Sequence, residues 1–163
     1  MQKMSREMIQ KFEKQWQSQV ADLVLGIQNG EFNLGVTLAM QTDLHDTEKF
    51  YENGGFWIAI EEERVVGSIG LQELTTGVGI LRKMFVDKAY RGKDLSLAQK
   101  LFDILIDKAK KMNIKQLYLD TPLIANAAHR FYERNGFVET SRDKLPTAYK
   151  FVEMPLKFYV LEV

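Results

Sequence analysis

Arg91, Gly92 and Lys93 stand between an apolar segment and a helix-forming one, in 86-VDKAYRGKDLSLAQKLF-102. Two cations around a glycine at the start of a helix suit an anion. The first turn of a helix leaves N–H groups unpaired and carries about half a positive charge. A phosphate accepts from those amides directly. Gly92 lets the main chain approach closely, and Arg91 and Lys93 add charge-assisted bonds. Many strand–loop–helix turns contain the same residues and bind nothing, so this stretch alone leaves both readings open.

Such a loop needs a strand before it and a helix after it, and the flanking sequence has both patterns. The segment 77-GVGILRKMFVD-87 predicts a strand. Leu95, Ala98, Leu101, Phe102, Leu105 and Ala109 recur at core spacing and predict a helix over 94–111, with Lys108, Lys110 and Lys111 in its last turn. Upstream, Met8, Ile9, Phe12, Trp16, Val20, Leu23, Val24 and Ile27 form one apolar stripe and predict a helix over 5–29 that stops at Asn29-Gly30. Asp43 or Asp46 is placed to cap a short helix. The segment 56-FWIAIEEERVVGSIGLQEL-74 reads as a hairpin, and Gly67 and Gly70 signal a bulge or a close approach. Further on come a strand at 114–121, a helix at 124–136 closed by Asn135-Gly136, and strands at 137–140 and 150–163. A meander followed by strand–helix–strand–helix–strand predicts an α/β (α+β) single domain over 1–163 with a mixed sheet.

Composition narrows the chemistry. The 163 residues carry 22 basic and 22 acidic side chains, so no net field favours nucleic acid or an anionic membrane. There is no cysteine, which removes thiolate nucleophiles and cysteine zinc sites. Two histidines, His45 and His129, are too few for a multi-histidine metal centre. No apolar run reaches the ~20 residues of a membrane span, and the polar N-terminal stretch is unlike a secretory signal. A cytoplasmic protein without a metal is expected.

Three stretches in order carry a family resemblance. 84-MFVDKAYRGKDLS-96 resembles the strand and Arg/Gln-x-x-Gly-x-Gly/Ala loop that hold the acetyl-CoA pyrophosphate in the GCN5-related N-acetyltransferase (GNAT) superfamily. 126-NAAHRFYERNGF-137 is similar to that family's N-x-x-A-x-x-x-Y-x-x-x-G-F arrangement, and 56-FWIAIEEERVVGSIGL-71 looks like its preceding hairpin. The resemblance runs from about Asp43 to the C-terminus. It implies a mostly antiparallel sheet of about six to seven strands flanked by helices, with splayed central strands. It also implies acetyl-CoA as co-substrate and transfer of an acetyl group to a primary amine of a small molecule or a peptide. Two family glycines fall at Asp94 and Ser96 here. Ser96 is small enough to stand in, and Asp94 suits a helix cap.

The resemblance also distributes roles. Arg91, Gly92, Lys93, Asp94, Leu95 and Ser96 form the phosphate loop. Met84, Phe85 and Val86 present main-chain groups to the pantetheine, and Asn126 lies near its arm. Tyr132 matches the tyrosine that protonates the departing thiolate; a phenol suits this, with reference pKa values of roughly 10 and 8.5 for phenol and thiol. The resemblance assigns no base; by its position after the strand glycines Glu73 is the first candidate for the group that deprotonates the amine, with Glu31 and Asp120 behind it, and His129 reads as a packing residue. Alternation along the strand predicts that Arg82 and Lys83 point to opposite faces. The apolar tail 156-LKFYVLEV-163 could pair within the chain or across a homodimer. A degenerate member that binds acyl-CoA without catalysis, and an unrelated α/β binding module, are the alternatives.

Overall fold

The computed structural model describes residues 8–92 and 96–163, so Lys93, Asp94 and Leu95 of the expected phosphate loop lie outside the described residues. Four strands form an antiparallel meander: β1 (Ile9–Lys11), β2 (Gly55–Glu61), β3 (Arg64–Thr75) and β4 (Val78–Val86). β5 (Gln116–Pro122) then pairs parallel to β4. β7 (Leu156–Glu162) inserts antiparallel between β5 and β6 (Val138–Thr140), which gives a seven-stranded sheet in the order β1-β2-β3-β4-β5-β7-β6. The apolar tail is thus paired on both of its edges within the chain.

The helices follow the apolar spacing. α3 (Leu97–Lys111) buries Leu97, Leu101, Phe102, Leu105 and Ala109 against Ile69, Leu71, Leu81, Leu117 and Leu119 of the sheet. Leu101 and Leu105 are fully buried, and each such side chain stabilises by roughly 1.5–3 kcal/mol. α4 (Asn126–Arg134) covers the same face. Its end is a Schellman stop: Gly136, at φ +95, donates to the Glu133 carbonyl, and Phe137 N–H donates to the Tyr132 carbonyl. The ring of Phe137 then packs on that of Tyr132, 5.6 Å between centroids.

The other face is covered by α1 (Gln17–Leu25) through Val20 and Val24, and by Tyr51 just after α2 (Thr47–Phe50). Asp46 caps α2 by accepting from Lys49 N–H. The expected helix over 5–29 is corrected at its start, where residues 9–11 form β1. The open edge of β2 supplies main-chain partners for these residues, and helical periodicity cannot register a partner that far along the chain. At the other end α1 widens into a π-helical turn over Gly26–Glu31. The β2–β3 hairpin forms as expected, with Glu62 and Glu63 at φ 50 and 60 as a two-residue turn. Gly70 admits no Cβ, which would lie 2.8–2.9 Å from the rings of Tyr51 and Phe56. No helix among the described residues is long and apolar enough to cross a membrane.

Candidate functional site

The central strands part. β4 and β5 are paired only at Val78–Gln116, Gly79–Leu117 and Ile80–Tyr118. Beyond Ile80, β4 runs on to Val86 bonded to β3 alone, while β5 runs on to Pro122 bonded to β7 alone. A wedge therefore opens between Arg82–Val86 and Asp120–Pro122, with one main-chain edge of each strand facing it. Met84, Phe85 and Val86 lie on this edge. The Val86 carbonyl accepts from Arg91 Nε at 2.8 Å.

A bulge in β4 decides which side chains enter the wedge. The register with β3 shifts between Ser68 and Gly70. Lys83 sits there in the left-handed region at φ 52, and its carbonyl accepts from Ser68 Oγ at 2.8 Å. The bulge overturns the expected alternation, and Arg82 and Lys83 both reach the layer under α1 and α2. Lys83 Nζ pairs with Asp43 at 3.2 Å, and Tyr51 donates to the same carboxylate at 2.6 Å. Arg82 donates from Nε to Gln72 and from Nη2 to the Lys150 carbonyl, both at 2.8 Å, with its Cζ 5.5 Å from the centre of the Tyr149 ring. Tyr149 donates to Asp120 at 2.7 Å.

One electrostatic field joins these groups. Burial pushes the phenols of Tyr51 and Tyr149 well above their ordinary range, and the carboxylates they bond push them further. Tyr132, on the inner face of α4, is also raised, first by burial, then by Asp120 and by Tyr159. Asp120 raises Tyr132 from the opposite face of the sheet, at the edge of the wedge. The Tyr132 hydroxyl has no hydrogen-bond partner among the described residues. Its raised pKa keeps it protonated and favours donating a hydrogen bond over releasing the proton outright.

The loop after β4 leaves from the wide end of the wedge. Gly92 has φ +125 and, among the described residues, nothing within 4 Å of where a Cβ would lie, so its need for glycine is conformational. Ser96, just before α3, is left-handed at φ 51, the kind of position at which a glycine is at home. Arg91 has a partner: its two terminal nitrogens bond Glu31 at 2.8 and 2.7 Å. Asn126 is the first residue of α4, exposed, with Ala125 as the N-cap.

Other expected residues fall elsewhere. Glu73 stands opposite Gly79, in the stretch where β4 and β5 are still paired, and alternation from Leu71 turns it toward the face covered by α3. It does not join the residues of the wedge. Glu31 is held by Arg91. His129 is buried and bonds the Pro122 carbonyl through Nε2 at 2.9 Å, the packing role expected of it. Sequence reasoning missed Gln72, Tyr51 and Tyr149; for Tyr149, in an irregular segment, no periodic signal existed. A groove of about 630 Å³ lies between α1 and Leu38, Leu44 and His45, away from the wedge.

Comparison with known proteins gives the same picture. A family model described as the acetyltransferase (GNAT) family matches residues 21–137. A solved acetyltransferase from Streptococcus agalactiae is 35% identical with a TM-score of 0.91, covering 95% of this chain and 97% of that one. A probable N-acetyltransferase camello from Xenopus tropicalis is 30% identical over 135 residues, 79% of this chain; the chain spans 61% of that relative's length. The fold is also that of a PaiA N-acetyltransferase from Thermoplasma acidophilum solved with coenzyme A, at 12% identity, TM-score 0.70, and coverage of 95% and 98%.

Proposed function

Because the chain belongs to the acetyltransferase (GNAT) family, we propose that it moves an acetyl group from acetyl-CoA to a primary amine of a small molecule or peptide. The observation that carries this reading is the wedge. Two neighbouring strands part after Ile80 and Tyr118, and the wide end faces a loop with Gly92 and Ser96 in left-handed conformations at the foot of a fifteen-residue helix. A diphosphate would rest against the first amides of α3, with Arg91, Gly92 and Ser96 beside it and Lys93, Asp94 and Leu95 completing the loop. The pantetheine would lie along Met84, Phe85 and Val86, with Asn126 near its arm. Bound there, acetyl-CoA supplies an acetyl group on a thioester.

The chain's own groups then handle the protons. Asp120 takes a proton from the acceptor's ammonium and so frees the nitrogen lone pair. A strand amide such as that of Phe85 polarises the acetyl carbonyl. Tyr132 donates a hydrogen bond to the sulfur as the C–S bond yields to the new C–N bond, and the proton shed by nitrogen passes to the departing thiolate. Asp120 takes the role first assigned to Glu73, because Asp120 is in the wedge and Glu73 is not.

A second reading is binding of acyl-CoA without turnover, motivated by Asp94 and Ser96 standing where the family has glycines. Release of coenzyme A from acetyl-CoA, followed over a panel of amines, separates the two. Amine-dependent release supports transfer. Saturable acetyl-CoA binding with no release for any amine supports the second reading, and no binding removes both.

A further inference from the structure

The parallel register of β4 and β5 has a constant offset, from Val78–Gln116 to Ile80–Tyr118. Continued past the last bonded pair, that offset makes Arg82 and Asp120 the next couple on the same face. They stand at the point where the ladder stops. Their side chains form a loose ion pair without a hydrogen bond: Arg82 Nη1 is 4.0 Å from Asp120 Oδ2, outside hydrogen-bonding distance.

Both side chains are held from outside the couple. Gln72 and the Lys150 carbonyl fix Nε and Nη2 of Arg82, and its Cζ lies over the Tyr149 ring. The Tyr149 hydroxyl fixes Asp120. Nη1 is left turned toward Asp120 with no closer partner among the described residues. Lys83, in the same layer, is taken by Asp43 at 3.2 Å and has no such spare direction. The side chain of Arg82 is 14% exposed and that of Asp120 22%, so a ligand here meets them largely desolvated.

From this we infer that the acceptor is a zwitterion: a small amine bearing a free carboxylate beside its amino group, as in an α-amino acid. Its carboxylate meets Nη1 of Arg82 and its amine meets Asp120. A fixed cation next to a fixed anion is a dipole, and the ligand that fits is the opposite dipole. A dianion such as a phosphate monoester is repelled by Asp120, and a polyamine is repelled by Arg82. A plain amine leaves the spare donor of Arg82 buried and unmatched, which sites built around a polar group reject. This inference rests on the transfer reading above and names its acceptor class.

The test compares acetylation of an α-amino acid, its carboxamide and its decarboxylated amine by the intact protein, then by Arg82→Gln. The expected result is kcat/KM for the amino acid at least tenfold above that of the other two. The preference should narrow tenfold or more in R82Q, chiefly through KM of the amino acid. Equal rates for the three acceptors in the unaltered protein overturn the inference while leaving transfer standing. An equal fall for all three in R82Q also overturns it, since that marks Arg82 as only a prop for Tyr149 and Lys150. Should R82Q fail to fold, the ratio in the unaltered protein and competitive inhibition by simple carboxylates decide the matter; absence of both overturns it. Acetyl-CoA binding with no transfer to any amine overturns the transfer reading as well.

Discussion

Arg91 presents both terminal nitrogens to the two carboxylate oxygens of Glu31, at 2.8 and 2.7 Å, across sixty residues of sequence. The pair ties the end of the π-helical turn after α1 to the loop that leads into α3. A phosphate at that loop would compete with Glu31 for the same fork. The pair is part-exposed, and such pairs contribute at most ~1 kcal/mol, so the competition weakens phosphate binding by no more than about fivefold. Glu31→Gln is therefore expected to raise acetyl-CoA affinity by up to about fivefold. Arg91→Ala should lower it by roughly tenfold, the scale of one charge-assisted bond. Titration calorimetry measures both; unchanged affinity in both variants would mean the fork never leaves Glu31.

Tyr132 is buried, and its hydroxyl bonds no protein group among the described residues. Removing that oxygen leaves no partner stranded, so Tyr132→Phe should change the unfolding free energy by well under ~1 kcal/mol. Turnover should fall by about a hundredfold, as for loss of a hydrogen-bond donor aimed at developing charge, with little change in acetyl-CoA affinity. Pre-steady-state acetyl transfer checks this. A rate equal to that of the unaltered enzyme would remove Tyr132 from the chemistry.

Asp43 and Lys83 form a buried pair, with side chains 8% and 13% exposed. Taking away one charge leaves the other without compensation. Asp43→Ala should destabilise by about 3 kcal/mol, while Asp43→Ala with Lys83→Met should recover most of that loss. Urea unfolding of the two single variants and the double variant closes the cycle. Strictly additive losses would mean that the ion pair does not couple the α2 region to the β4 bulge.

Glu62 and Glu63 turn the β2–β3 hairpin at positive φ, where a Cβ is strained and two carboxylates adjoin. The Glu63 carbonyl accepts from Gln19 Nε2, a bond that glycine keeps. Glu63→Gly should stabilise by about 1 kcal/mol and raise the thermal midpoint by roughly 2–4 °C. A lower midpoint would show that the glutamate side chain supports the turn in some other way.

The elements that repeat themselves were legible in the sequence. α3, α4 and the hairpin follow from spacing and from turn residues, and the Tyr132…Gly136-Phe137 signature has a local cause, since glycine and Phe137 close α4 and brace the Tyr132 ring. What was hidden depends on distant pairing. β1 borrows the free edge of β2, so its apolar residues passed for the first turns of a helix. Alternation placed Arg82 and Lys83 on opposite faces, but the left-handed Lys83 cancels one step and sends both to one layer. Asp120 was visible as a carboxylate before a proline. Its nearness to Arg82 follows from a register between strands separated by a whole helix, and Tyr149 reaches it from an irregular segment with no pattern to read.

The central claim is that the wedge beyond Ile80 and Tyr118 receives the thioester arm of acetyl-CoA while the foot of α3 receives its diphosphate. A crystal structure of the protein with coenzyme A tests it most directly. Phosphate oxygens are expected against the main chain at the start of α3 and beside Gly92, and the pantetheine bonded to the main chain of Met84–Val86, its sulfur near Tyr132. Coenzyme A bound elsewhere, or β4 and β5 joined along Arg82–Val86 in its presence, would contradict it.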